Sequence, residues 1–158
     1  MKIIPYEKYS LKSNLTVEEA ISKLKANTEP NELFGSGTKI FHGKIYNDTF
    51  DICRIISYQN SFLPKIKGNI RSEANSIIID IKMHLHPFVI VFMFIWFSGL
   101  LLEFIVSTIA LMSNLNDFLL ELLIFFGMLT FSIGLCTIPF WIEVKKAKQE
   151  LEKILIME

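Results

Sequence analysis

Excess charge is the first thing this sequence lacks. Its 158 residues carry 16 Lys and Arg against 16 Asp and Glu, so no general attraction to a nucleic-acid backbone is expected. Cysteine is scarce as well, with only Cys53 and Cys136. Cys53 falls in a strand-like segment and Cys136 inside a long apolar run. The two are not expected to meet, which predicts no disulfide and a reducing compartment for the soluble part. The opening Met1-Lys-Ile-Ile-Pro-Tyr-Glu7 has no short apolar core of the kind a signal peptide needs. Missing too are a Ser-His-Asp order, a His-Glu-x-x-His and a clustered carboxylate pair. Gly35-Ser-Gly-Thr-Lys39 lacks the Gly-Lys-Ser/Thr order of a phosphate-binding loop, and no helical pattern follows it, so it reads as a turn. A non-enzymatic chain without a cofactor is the expectation.

What is present is apolar, and it is unevenly placed. Hydrophobic residues make up 51% of the chain and crowd into its second half. Two runs, Pro87 to Met112 and Phe118 to Ile142, are each long enough to cross a hydrocarbon core of about 30 Å. Only Ser113 to Asp117 separates them, so the two spans form an antiparallel hairpin. Helix is the backbone state a bilayer requires, because it offers no water to unpaired amides. Lys82 precedes the hairpin, Lys145, Lys146, Lys148 and Lys153 follow it, and the connecting loop has no Lys or Arg. The positive-inside rule then places both termini in the cytoplasm, in a multi-pass protein of the inner (plasma) membrane with the lipid bilayer as its first partner. The domains expected are a cytoplasmic α+β domain over 1–86, a transmembrane hairpin over 87–142 (spans 87–112 and 118–142, loop 113–117) and an amphipathic helical tail over 143–158.

In the soluble part, Tyr6 to Ser13 alternates as a strand. Thr16 and Glu19 fit a capping box for a helix from Val17 to about Ala26, whose apolar stripe is Val17, Ala20, Ile21 and Leu24. Four strand-like segments follow: Lys39 to Tyr46, Thr49 to Tyr58, Lys65 to Ser72 and Ser76 to His84. Asn47-Asp48 joins the first two as a two-residue turn, on the ground that Asn and Asp tolerate positive φ. Glu73-Ala-Asn75 turns between the last two. In the second segment Phe50, Ile52, Arg54, Ile56 and Tyr58 share a face. In the fourth, Ile77, Ile79, Ile81 and Met83 share one. The fold class is therefore membrane α+β: a strand, a helix and a four-strand antiparallel sheet, plus a two-helix transmembrane hairpin. That order resembles a shortened helix-grip, or START-like, arrangement, without the long C-terminal helix ahead of the membrane segment that would fill the grip.

Within the hairpin, Gly99, Glu103, Ser107 and Ala110 recur at helical spacing, as do Gly127, Thr130, Gly134 and Thr137. Small residues let helix backbones approach closely. These stripes either pack the hairpin on itself or dock other spans, in a homo-oligomer or with a protein partner. Glu103 sits well inside the first span, where an ionised carboxylate costs about 3 kcal/mol on insertion scales. Ser107 and Thr130 are the candidates to solvate it. It is either a protonated structural glutamate or a proton-linked or subunit-contact group. Glu121 lies near the outer end, within reach of headgroups. Trp96 is deep enough to be packing; Trp141 is placed as an interfacial anchor. Pro139 is expected to kink or end the apolar helix, which resumes from Trp141 to Met157, with Leu151, Ile154 and Leu155 on the sheet or on the membrane.

His84 and His86 flank Leu85 where the sheet meets the membrane. With His42 or Cys53 they could hold a metal; against that stands an ordinary strand end with Pro87 opening the helix, and no metal is the expectation. Arg54, a cation among apolar neighbours, would pair with Asp51, Asp80 or Glu73, or receive an anionic ligand, with ion pairing the expectation. The loop Asn60 to Pro64, with Phe62, Leu63 and Pro64, either dips to the membrane or packs on its own sheet. The runs Arg54-Ile-Ile-Ser-Tyr58-Gln-Asn-Ser-Phe-Leu-Pro64-Lys-Ile-Lys-Gly68 and Met83-His-Leu-His-Pro87-Phe-Val resemble small bacterial two-span membrane proteins with an Asn-Ser-Phe-Leu-Pro loop and a Leu-His-Pro-Phe-Val start to the first span. The resemblance covers Phe41 to Trp96. It implies topology and a bacterial envelope, and transfers no activity. Three functions remain: a module that binds or scaffolds a partner or modulates another membrane component, a small-ligand or lipid-binding module at the membrane surface, and a subunit of a transport or ion-conducting assembly that uses Glu103.

Overall fold

The computed structural model describes residues 4–30, 38–74, 76–111 and 115–156; side chains at 110, 111 and 115–117 are not described. The Gly35 to Gly37 turn, Asn75, Met157, Ser113 and Asn114 of the inter-span loop and the side chain of Ala110 therefore lie outside the description, while Leu115 to Asp117, expected in that loop, are already helical. Six strands, β1 (Tyr6–Ser13), β2 (Thr28–Glu29), β3 (Phe41–Ile45), β4 (Thr49–Arg54), β5 (Lys65–Glu73) and β6 (Ser76–His84), are joined by three helices, α1 (Val17–Ala26), α2 (Pro87–Leu111) and α3 (Leu115–Leu155).

The strands form one sheet in the order β1-β6-β5-β4-β3-β2. All neighbours are antiparallel except β2 and β3, which run parallel. The sheet is thus mixed and six-stranded: β3 to β6 make the expected meander, β1 pairs along the whole of β6, and the two-residue β2 was not foreseen. Such a short strand has no sequence period of its own to be read from. β4 ends at Arg54, four residues before the expected Tyr58.

Alternation decides which face is buried. Ile77, Ile79, Ile81 and Met83 of β6, Ile66 and Ile70 of β5, and Phe50 and Ile52 of β4 all point to one side and are buried. Gly68 continues that face because Phe50 lies across it: a Cβ there would stand 2.0 Å from the ring carbon Cζ of Phe50. α1 starts with the capping box, Thr16 Oγ1 accepting from Glu19 N at 3.2 Å and Glu19 accepting from Thr16 N at 2.8 Å. Its stripe of Ala20, Ile21 and Leu24 is buried. Asn47-Asp48 does join β3 to β4, with Tyr46 N donating to Thr49 O at 2.7 Å. The reason given for it is wrong, since no residue but glycine has positive φ among those described. The unusual backbone sits instead at Gly43 (φ 145°), where a Cβ would meet Asp51 O at 2.3 Å.

The largest difference from expectation is α3. Pro139 lies inside it and does not end it; the helix runs unbroken from Leu115 to Leu155. Two segments are long and apolar enough to cross a membrane, Pro87–Ile109 (mean hydropathy 2.5) and Phe118–Leu155 (mean hydropathy 2.2). Beyond Pro139 the exposed apolar surface of α3 gives way to a buried stripe: Phe140, Val144, Ala147, Leu151, Ile154 and Leu155. These belong to the same core as the strand isoleucines. α3 therefore supplies the helix that covers the sheet.

Candidate functional site

The side chains that chemistry would notice gather where α3 crosses from the apolar hairpin onto the sheet. Glu143 sits on the buried stripe of α3 and is 1% exposed. An unpaired carboxylate there would be costly, because a buried charge needs a partner. It has three. Arg54, at the end of β4, brings Nε to 3.3 Å of Oε2. Lys146, one turn on, places Nζ 3.1 Å from Oε1. Tyr58 donates its hydroxyl to the same Oε1. Lys146 Nζ also donates to Tyr58 Oη at 3.2 Å and lies 5.5 Å from the ring centre. Its pKa is raised by the hydrogen bonds to Tyr58 and Glu143, which favour the charged form.

Arg54 was expected to pair with Asp51, Asp80 or Glu73. The first two are engaged elsewhere: Asp51 faces Lys67 at 3.5 Å and Asp80 is held by Arg71 and by Ser10. Glu143 was missed because the segment carrying it was read as a tail. The signal that would have found it is the apolar stripe at 136, 140, 144, 147 and 151, into which Glu143 falls between 140 and 147 at steps of three and four.

Further ties hold α3 to the β1 edge. Lys148 donates to Glu7 and lies 4.4 Å from the centre of the Tyr9 ring. Ser13 Oγ donates to Leu155 O. Burial, then the nearby Glu152 and Glu7 carboxylates, raise the pKa of the Tyr9 phenol.

The loop after Tyr58 is folded on itself, Asn60 Oδ1 accepting from Phe62 N at 3.0 Å. Phe62 is partly buried against the core and also lines a crevice with Phe92, Met93, Trp96 and Phe131 of the hairpin. It therefore packs on its own domain's core and also borders the hairpin. Leu63 is partly exposed and Pro64 is buried.

His84 and His86 do not meet. His84 ends β6 with Nδ1 2.8 Å from Leu85 O. His86 caps α2, its Nδ1 accepting from Phe88 N at 3.2 Å and its carbonyl from Val89 N. A concavity of about 510 Å³ on the open sheet face brings His86 beside His42 and Cys53, together with Lys44 and Lys65. Two lysines make it a poor place for a cation. Burial and Lys65 lower the pKa of His42, and burial pushes the Cys53 thiol up to about 11. Among the described residues no group of three or more His, Cys, Asp or Glu could hold a metal ion.

The hairpin closes on residues the small-residue stripes do not include. Phe104 stacks on Phe125 with centroids 4.3 Å apart, and Trp96 Nε1 donates to Ser132 Oγ at 3.0 Å. A Cβ added at Gly99 or Gly127 would meet nothing within 4 Å, and at Gly134 only its own helix's Ile138. Glu103 is on the exposed side; Ser107 Oγ reaches its Oε1 at 3.3 Å and its carbonyl at 3.0 Å. Thr130 bonds back to Phe126 and Gly127 carbonyls and does not serve Glu103. Glu121 Oε1 and Thr108 Oγ1 are buried without hydrogen-bond partners. The pairing of Phe104 with Phe125 puts these two groups at one level of the hairpin.

Comparison with known proteins gives no match to a protein-family model, to a curated protein or to a solved structure.

Proposed function

We propose that this chain is a non-enzymatic integral membrane protein of the bacterial inner membrane, both termini cytoplasmic, whose sheet domain binds a partner or modulates another membrane component with which the hairpin assembles. The observation that carries this reading is the unbroken α3. One helix is exposed and apolar over its first half and is core to the sheet over its second. A flexible tether would let the two parts act separately; a helix shared between two packing environments makes them one body. The resemblance to small bacterial two-span membrane proteins supports the topology.

The outward small-residue faces support lateral assembly. Gly99 and Gly127 have open space before them, and Glu103, on the same face as Gly99, has among the described residues Ser107 alone as its side-chain partner. Lipid gives a carboxyl group no hydrogen bond, so covering it with another span is favourable. α3 packed over the sheet supports the reading of a shortened helix-grip whose grip is filled. That filling argues against a ligand in the interior, where Phe140, Ala147, Leu151 and Leu155 are fully buried. Crosslinking the full chain in native membranes, followed by native mass measurement, tests the proposal. A hetero-complex or oligomer is expected; a lone monomer with no captured partner would overturn it.

A further inference from the structure

Two neighbouring grooves share part of their lining and together make a channel. The upper groove, of about 500 Å³, has Tyr58, Gln59, Asn60 and Ser61 on one wall, Glu143 at its head and Leu135, Pro139 and Ile142 below. The lower, of about 240 Å³, runs down the hairpin crevice past Phe92 and Met93 to Trp96 and Phe131. Phe62 and Leu135 line both, so the two join there.

The channel is polar at one end and apolar along the rest. From Glu143 back to Ser132 the α3 axis covers roughly 16 Å at about 1.5 Å per residue. That is about half of a ~30 Å hydrocarbon core, the depth of one leaflet. The polar end has Tyr58 and Glu143 in its lining. Lys146, partly exposed, places Nζ 3.2 Å from the Tyr58 hydroxyl and 3.1 Å from Glu143, and Arg54 also pairs with Glu143, so two cations share one buried carboxylate and leave a net positive charge beside the Tyr58 hydroxyl. Glu143 is a positioning residue here: it fixes Lys146 beside Tyr58 and is itself 1% exposed.

We infer that this channel binds one anionic phospholipid, its phosphate at Lys146 and Tyr58 and an acyl chain along Phe62, Leu135 and Trp96. The inference rests on the membrane placement proposed above, and it needs no partner protein. Charge and shape select the same occupant. A zwitterionic lipid brings no net charge to the excess cation, and a water-soluble anion leaves the apolar length empty.

The chain has two tryptophans, so Trp141→Phe leaves Trp96 as the sole emitter, inside the lower groove. The full-length variant is placed in phosphatidylcholine nanodiscs doped with phosphatidylglycerol or phosphatidylcholine carrying a doxyl quencher mid-chain, at equal mole fraction. Trp96 is expected to be quenched about fivefold more effectively by the labelled phosphatidylglycerol, the preference one basic side chain gives at an anionic surface. Lys146→Gln is expected to abolish that preference, and Lys153→Gln, whose lysine pairs with Glu150 on the exposed surface, to keep it. Inorganic phosphate, at an ionic strength matched with chloride, is expected to leave it in place. Equal quenching by both lipids would overturn the inference by showing annular lipid alone. A preference that survives Lys146→Gln combined with Tyr58→Phe, or one that inorganic phosphate removes, would overturn it too. Quenching by neither lipid would show Trp96 outside the bilayer, and the membrane reading would fall with the site.

Discussion

The two halves of α3 are built from similar residues and live in opposite surroundings. Phe131 is 70% exposed and Phe140 is fully buried, nine residues apart on one helix. Before Pro139 the large side chains face outward with little protein against them, as a bilayer allows. After it the same kind of side chain closes the core of a sheet. Hydrophobicity alone therefore does not say what a segment packs on; periodicity does. The first half is apolar on nearly every face. The second has a stripe at steps of four and three, with lysines and glutamates on the other face, which is the pattern of a helix lying on a water-exposed domain.

The strongest way to break that comparison is to truncate one phenylalanine from each half. Phe140→Ala should cost the sheet domain about 3–5 kcal/mol, the range for emptying a buried aromatic site. Phe131→Ala should leave its thermal unfolding in detergent unchanged. Equal losses would mean that the two halves are not packed differently.

Glycines give a second, smaller contrast. Gly68→Ala forces a methyl group into the Phe50 ring and should destabilise the domain by about 1–3 kcal/mol through overpacking. Gly127→Ala has open space and should leave the fold intact while weakening any crosslinked oligomer. A stable Gly68→Ala protein would show that Phe50 can leave its place at no cost.

Glu103→Gln sharpens the contrast further. It should shift the domain's unfolding by less than about 0.5 kcal/mol, as expected for an exposed site, yet reduce crosslinking between spans. Unchanged crosslinking would remove Glu103 from the assembly face.

The smallest effect is expected with pH. The Ser10 hydrogen bond, then Arg71, hold the Asp80 carboxyl below its ordinary value of 3.8. A depressed folded-state pKa stabilises above the unfolded value and loses that contribution as pH falls through the folded one. Ser10→Ala should therefore be slightly less stable than wild type above about pH 5 and reach its acid midpoint at slightly higher pH, the difference vanishing once pH has fallen below the folded-state pKa of Asp80. An identical acid midpoint would show that the Ser10 contact carries no weight.

The strands were legible where one face is buried and the other wet. Ile77, Ile79, Ile81 and Met83 alternate with Ile78, Asp80, Lys82 and His84, and β6 occupies Ser76–His84 as read. The capping box fixed the start of α1 because both of its residues act within three positions of each other. What escaped was non-local. Pro139 marks a break in sequence terms, yet a proline costs less where neighbouring groups accommodate the freed carbonyl, and the helix continues. A helix resuming at Trp141 was legible, but nothing local turns Glu143 toward Arg54 and Tyr58, so the cluster of Arg54, Tyr58 and Lys146 had no centre. Residues 85 and more positions apart in the chain meet there. The two glycine stripes were legible as stripes, but which way they face depends on Phe104, Phe125, Trp96 and Ser132, whose pairing no spacing rule gives.

The shared helix also sets an order of events during synthesis. The six strands are all translated before the hairpin, but the side chains that close their core, from Phe140 to Leu155, follow it. Until those emerge from the ribosome, the isoleucine face of the sheet has only α1 over it. On the membrane topology proposed above, a nascent chain must therefore carry an open apolar sheet through the whole time its hairpin is being inserted, and the domain can finish folding only once the second span has been threaded back to the side it started from. Misplacing that span would leave the sheet without its cover, which couples correct topology to a folded domain.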